Sequence, residues 1–270
     1  MNYIGIDLHK KNTQICILSE GGQVLREGRT ATDIENLVEL LRPFLPARLV
    51  VESSTLSEFV ARGLEAAGFE VLVVDPNFAP MYASRSKKIK TDKRDARTLA
   101  DASLRGTYRL AHRLSDEQRL WRAHLGVRQS LVQSRTRYIA QCRSLLSAHG
   151  YMIRDGGAES FADRVHERGV PAPLLAPVEP LLRLIGGLNA ELEQIDRLLK
   201  EQLQQDERAR AMATMPSVGP ITALTLLSVL DEAGRFESGR QVASYLGLVP
   251  REDSSGEKQR RGRITKAGAP

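Results

Sequence analysis

The chain has 270 residues, of which 41% are hydrophobic and 27% charged, enough for one large domain or two to three small ones of ordinary soluble composition. No apolar run approaches the ~18 residues of a spanning helix, which excludes such a helix, and no membrane partner is expected. Asp7, His9, Lys10 and Lys11 interrupt any signal-peptide core, and the two cysteines, Cys16 and Cys142, form no metal or disulfide spacing, so a reduced cytoplasmic setting is expected.

The net charge of +6 is unevenly spread. Residues 1–84 carry 7 Lys/Arg against 11 Asp/Glu, residues 85–113 carry 10 against 3, and seven arginines but no acid lie between Gln118 and Arg154. An acidic module followed by a basic arm points to a polyanionic partner.

In chain order, Asn2–Asp7 and Gln14–Leu18 read as strands, and Gly21-Gly22 as the turn into a third, Gln23–Gly28. Thr32 or Asp33 can cap a helix with Ile34, Leu37, Val38, Leu41 and Leu45 on one face, ending near Pro46. Arg48–Glu52 then reads as a buried strand, Leu56–Gly68 as a helix stopped by glycine, and Glu70–Asp75 as another apolar strand. Three antiparallel strands followed by alternating helix and strand predict a mixed α/β sheet. In Lys90-Thr91-Asp92-Lys93-Arg94-Asp95-Ala96, a helix start would put Asp92 and Asp95 on one face.

That order places Asp7 and Glu52 at strand ends and Asp92 and Asp95 at a helix start, where an open α/β sheet binds ligands. Gathered carboxylates repel unless a cation joins them, and Mg²⁺ or Mn²⁺ suits an all-oxygen set. Two such ions ~3.5–4 Å apart can hold the attacking and leaving oxygens of a phosphodiester. Ile4-Gly5-Ile6-Asp7 also resembles the opening of actin-like and sugar-kinase ATPases, but Leu8-His9-Lys10-Lys11 replaces the glycine and hydroxyl residues that hold phosphates there.

From about Ser115 the pattern turns helical. Trp121, Leu125, Val132, Ile139, Cys142 and Leu146 follow a 3-4 spacing, with Arg128 and Arg135 in the same seam. After a Gly/Pro-rich connection, Leu181, Ile185, Leu188, Leu192, Ile195 and Leu199 repeat it, which predicts a long antiparallel helical pair of coiled-coil type, self-packed or shared between subunits. The acid-free arginine face suggests phosphate contact. Met215–Ala223 resembles a helix-hairpin-helix, whose turn amides, here at Gly219, hold a phosphate without reading bases. Finally, Ser254-Ser255-Gly256 sits in a polar loop before Lys258, Arg260, Arg261, Arg263 and Lys266, cations able to stabilise a transition state during attack by a serine.

Together these motifs resemble the DEDD transposases of bacterial insertion sequences, also described as bridge-RNA-guided recombinases. The resemblance rests on Ile4–Lys10, Val50–Ser54, Lys90–Ala96, Met215–Ala223, Tyr245–Pro250 and the serine before Gly256. It implies a ribonuclease-H-like (RuvC-like) domain over 1–112, a helical coiled coil over 113–207 that mediates assembly, and a small, mainly α transposase domain over 208–270. It implies Mg²⁺ or Mn²⁺ at Asp7, Glu52, Asp92 and Asp95, and Ser255, with Ser254 as its neighbour, as the nucleophile that forms a phosphoserine link. Double-stranded DNA, a structured guide RNA and further copies of the chain (a dimer or tetramer) are the implied partners, with one subunit's acids serving another's serine. Lys87, Lys88, Lys90, Arg94, Arg128, Arg135, Gly219, Lys258, Arg260, Arg261 and Arg263 are the expected nucleic-acid contacts. Such proteins generally continue past Lys266-Ala267-Gly268 with further helices, whereas this sequence stops at Pro270, so a shortened last domain is expected. A hydrolytic nuclease of the Holliday-junction-resolvase type and an inactive nucleic-acid-binding remnant are the alternative readings.

Overall fold

The structure is a computed structural model that describes residues 1–82, 92–252, 261–265 and 268. The chain divides into two compact units, Met1–Arg113 and Leu114–Pro270.

The first unit is built on five strands: β1 (Asn2–Asp7), β2 (Asn12–Leu18), β3 (Val24–Ala31), β4 (Ala47–Glu52) and β5 (Glu70–Val74). Their order is β3-β2-β1-β4-β5, with β1–β2 and β2–β3 antiparallel and β1–β4 and β4–β5 parallel. The helices are α1 (Ile34–Leu41), α2 (Ser57–Ala66) and α3 (Asp92–Arg105). Ile4, Ile6, Leu49, Val51, Val71 and Val73 share one core with Leu37 and Leu41 of α1 and Val60 and Leu64 of α2. The alternate residues Val50 and Val74 pack with Leu99 and Ala102 of α3 on the other face, beside Cys16 and Leu18 with Ala96 and Ala100. Because both faces are covered, β4 and β5 carry continuous apolar runs rather than an alternating pattern. This mixed sheet is compatible with a ribonuclease-H-like fold.

Local chemistry sets the boundaries. Asp33 caps α1 by accepting from Glu35 N and Asn36 N. Pro43 lacks an N–H, so α1 ends at Leu41 and tightens into a 3₁₀ turn, Arg42–Phe44, short of the expected end near Pro46. Gly68 (φ 91°) ends α2 in the left-handed region, and Phe69 N donates back to Leu64 O at 3.1 Å. β2 begins earlier than its apolar run because buried Thr13 satisfies its hydroxyl on Thr32 Oγ1 at 2.8 Å.

Gly5 permits the closest approach in this unit. A Cβ there would overlap the Ala96 carbonyl and the Ala100 amide of α3 and stand 2.9 Å from Leu99 Cβ. The helix therefore lies directly on β1, and its first turn is held at the level of that strand's end.

Beyond α3 the chain covers the free edge of β5, with Ala111 N donating to Val73 O and Asp75 N to Arg109 O. Arg113 then ties this tail to α2: Nε reaches Glu58 Oε2 at 3.0 Å and Nη2 reaches Glu65 Oε2 at 3.0 Å. Burial alone would raise the Glu58 carboxyl, but hydrogen bonds from Arg113 and Arg62 outweigh it and hold it below the ordinary carboxylate range.

The second unit contains α4 (Asp116–Ser147), α5 (Phe161–Glu167), α6 (Ala172–Leu175), α7 (Glu179–Gln205), α8 (Glu207–Ala213), α9 (Pro220–Leu230) and α10 (Gly239–Tyr245), then two short antiparallel strands, β6 (Pro250–Glu252) and β7 (Arg261–Ile264). α4 and α7 pair in opposite directions. Cys142 and Leu146 meet Leu182 and Ile185 at one end, while Trp121 and Leu125 meet Leu199 at the other. The Gly/Pro-rich connection is not merely a loop, because Phe161 and Val165 of α5 fill the first of these cores. Ala223, Leu224 and Leu227 of α9 enter the second, so the C-terminal helices and the helical pair share one core. Buried Asp231, with φ 57°, ends α9 and accepts from Ser115 N (2.9 Å) and Ser115 Oγ (2.8 Å), while Ser115 caps α4.

The seam arginines have partners inside this unit. Arg128 pairs with Asp196 of α7, and Arg135 Nη1 donates to Asn189 Oδ1 and Glu159 Oε1, each at 2.9 Å. The charge signs do mix, but across elements rather than along α4. No helix among the described residues is long and apolar enough to cross a membrane.

Gly5→Ala is expected to destabilise the protein by about 1–3 kcal/mol through overpacking against α3. Gly28→Ala, at a position with open space around it, should cost a few tenths at most, and urea unfolding compares the two. A second expectation concerns acid. A carboxyl whose folded pKa is depressed stabilises the fold above its unfolded value and loses that contribution as pH falls through the folded one. Arg113→Met should therefore lower stability at pH 7 by about 1–2 kcal/mol. The deficit should shrink as pH drops below the ordinary Glu value of 4.5, measured by unfolding across pH.

Candidate active site

Asp7 closes β1, and Glu52 closes β4, its parallel neighbour, in a register that pairs Ile6 with Val51. The two acids thus end adjacent strands side by side. Asp92 and Asp95 occupy the first turn of α3, where the helix dipole favours negative charge, and Asp95 Oδ1 is shielded from solvent. Among the described residues, one cluster brings three metal-competent side chains together: Asp7, His9 and Asp92, with a donor atom from each within 4.8 Å of the others. Glu52 and Asp95 are not members of it.

The cluster is held from several sides. His9 Nε2 stands 3.4 Å from both Asp7 Oδ2 and Asp92 Oδ2. Arg29 of β3 donates to Asp92 Oδ2 at 3.0 Å, and Lys93 pairs with Glu27 of β3 at 2.7 Å. These two ion pairs fasten the first turn of α3 to the sheet edge, while Gly5 lets the helix lie on β1. Two carboxylates gathered at one strand end suit a small divalent cation. His9, Arg29 and Glu27 were not singled out from sequence. His9 alone gave a signal, as a metal-competent residue two positions beyond a strand-terminal acid.

Neither cysteine belongs to the site. Both are free and buried, and the Cys16 thiol is pushed up to about 12 by burial and by the neighbouring Glu27 carboxylate. It stays protonated and is no nucleophile at neutral pH.

In the second unit, exposed Gly219 caps α9 from the turn after α8, and Pro220 opens the helix. Arg263 lies exposed on β7. Ser254, Ser255, Lys258 and Arg260, like Lys87, Lys88, Lys90 and Lys266, lie outside the described residues, as does the side chain of Arg261. The segment carrying Ser254 and Ser255 joins β6 to β7, a strand pair that sequence reading did not anticipate.

Residues 4–150 match the family model for DEDD transposases of the IS110 type, and residues 209–270 match the model described as "Transposase IS116/IS110/IS902 family". The chain belongs to the IS110/IS116 transposase family. The chain is 30% identical over 274 residues to the "Probable family 20 transposase" of Pseudomonas aeruginosa, spanning 99% of this chain and 80% of that protein. It is 30% identical over 268 residues to the "Transposase for insertion sequence element IS1328" of Yersinia enterocolitica, spanning 98% and 78%. The "Pilin gene-inverting protein" of Moraxella bovis is 25% identical over 268 residues, with 94% and 74% covered. Family membership makes this chain a transposase, an enzyme class that acts on DNA, and the DEDD model agrees with divalent-metal use. Its four acids all fall inside the first matched segment, and Gly219 and Ser255 inside the second.

Arg29 places a positive charge on the carboxylate that a cation would share. Arg29→Ala is expected to tighten Mn²⁺ binding about fivefold, equivalent to roughly 1 kcal/mol at a solvent-exposed distance of this kind. Isothermal titration of both proteins at one ionic strength measures it.

Proposed function

We propose that this transposase cuts and rejoins DNA through a serine–phosphate intermediate, with Asp7, Glu52, Asp92 and Asp95 as the cation-binding acids and Ser255 as nucleophile. The observation that carries the metal half is the convergence of Asp7 and Asp92, which are far apart in sequence, at the end of β1. A bound Mg²⁺ or Mn²⁺ supplies Lewis-acid polarisation of the scissile phosphate. Ser255 Oγ attacks phosphorus as its proton departs. The bond to the leaving 3′-oxygen breaks, that oxygen takes up a proton, and a phosphoserine forms. A second 3′-hydroxyl then attacks the phosphoserine, rejoining DNA and returning Oγ to the enzyme as a hydroxyl. Lys258, Arg260, Arg261 and Arg263 neutralise the phosphate oxygens during both steps.

Breakage followed by rejoining also suits a relative named for gene inversion, since inversion conserves both pieces of DNA. Lys87, Lys88, Lys90, Arg94 and the Gly219 turn are the proposed backbone contacts, with a structured RNA selecting the DNA sites. Arg128 and Arg135 serve the helical pair first, and any phosphate contact would share their guanidiniums. In this reading the first unit is a RuvC-like nuclease domain. The α4–α7 pair is a coiled coil for assembly into a dimer or tetramer, a role that the exposed Leu120, Val127, Leu145 and Leu184 support.

The test is to incubate the protein with duplex DNA from its element ends, the flanking transcript and Mg²⁺, then to resolve the products under denaturing conditions. A covalent DNA–protein adduct in the wild type and in Ser254→Ala, absent in Ser255→Ala, is the expected result. Cleavage that persists in Ser255→Ala without an adduct would instead establish hydrolysis by activated water.

A further inference from the structure

We propose that His9 is itself a ligand of the cation held by Asp7 and Asp92, and that its imidazole makes this site favour a transition ion such as Mn²⁺ or Co²⁺ over Mg²⁺. The proposal rests on the reading of Asp7 and Asp92 as cation-binding acids and adds a nitrogen donor to a set so far made only of oxygens.

Geometry carries it. His9 Nε2 is equidistant, at 3.4 Å, from one oxygen of each acid. That is longer than a well-formed N–H···O bond of about 2.7–3.2 Å, so the ring is not committed to either carboxylate. It is close to the roughly 3 Å that separates neighbouring ligands about 2.1 Å from a shared ion. The backbone at His9 is also fixed. Thr32 Oγ1 donates to the His9 carbonyl at 2.7 Å, Thr32 N donates to Lys11 O at 3.0 Å, and buried Thr13 shares a hydrogen bond with the Thr32 hydroxyl. The turn between β1 and β2 is thus anchored to the end of β3, with the imidazole perched over the gap between the acids. Its side chain is 49% exposed, leaving the outer side open to water or a phosphate oxygen.

Chemistry gives the selectivity. Mg²⁺ holds oxygen ligands and surrenders water reluctantly, whereas imidazole suits the later divalent ions. Replacing one oxygen position by nitrogen therefore strengthens binding of Mn²⁺ and Co²⁺ more than that of Mg²⁺.

The experiment uses the full chain and Mn²⁺ alone. Affinity is measured by electron paramagnetic resonance titration, Mg²⁺ affinity by competition, and nitrogen coordination by the ¹⁴N modulation of the bound Mn²⁺ signal. Wild type should show ¹⁴N coupling. His9→Gln, at an exposed position, should abolish it, weaken Mn²⁺ binding about tenfold or more, and change Mg²⁺ binding less than threefold. Asp92→Asn should weaken both ions. If Asp92→Asn lowers affinity while His9→Gln leaves Mn²⁺ affinity unchanged and wild type shows no ¹⁴N coupling, the acids bind the cation and His9 does not. If Mn²⁺ binds no better to wild type than to Asp92→Asn, the cation site itself is refuted and this inference falls with it.

Discussion

The contact on which the N-terminal unit depends is backbone against backbone, where α3 lies on β1 at Gly5. With a side chain at that position the helix would ride higher, because the Ala96 carbonyl and Ala100 amide already occupy the space of a Cβ. Ala96 and Ala100 are small for the same reason and are fully buried. The helix start and the strand end that meet there carry Asp92 and Asp7. Packing of three small residues thereby sets the separation of two charged ones, and the ion pairs Arg29–Asp92 and Lys93–Glu27 fix the remaining rotation. Two like charges tolerate this closeness because Arg29 pairs with Asp92 and the His9 ring stands between the two acids.

Much of this was legible in the residues. β4 and β5 carry continuous apolar runs because both faces of the sheet are covered, and Asp7 and Glu52 end β1 and β4 where their apolar residues end. The α1 boundary was less so, since the periodicity of Leu41 and Leu45 continues past Pro43 while the backbone does not. β2 starts inside a polar run because Thr13 satisfies its hydroxyl on Thr32, a partner that only the folded sheet brings near. The same limit applied to the site. Asp7 and Asp92 stand out by type and position, but His9 joins their cluster only when a turn and a helix start, remote in sequence, are brought together. Segment charge was the least transferable signal, because the countercharges for Arg128 and Arg135 come from Asp196 and Glu159, outside the window in which the arginines were counted.

The family matches fall in both units, whereas the described geometry gathers its acidic cluster in the first. Asp7, His9 and Asp92 are brought together within one unit from a strand end, a turn and a helix start. Ser254 and Ser255 fall in sequence between β6 and β7, a short ribbon whose following residue, Thr265, is tied back to Val249 O and Gly247 O.

The polar pairs within the α4–α7 pair have a further consequence. Arg128 meets Asp196 and Arg135 meets Asn189, so seven residues separate the partners on each helix. Ile185, Leu192 and Leu199 share that same interval and, taken alone, would accept a slide of one heptad equally well. Such a slide would set Arg135 against Asp196 and leave Arg128 and Asn189 each facing an apolar neighbour. Two matched polar steps thus act as an indexing mark on an otherwise repetitive seam and fix how far one helix is offset along the other.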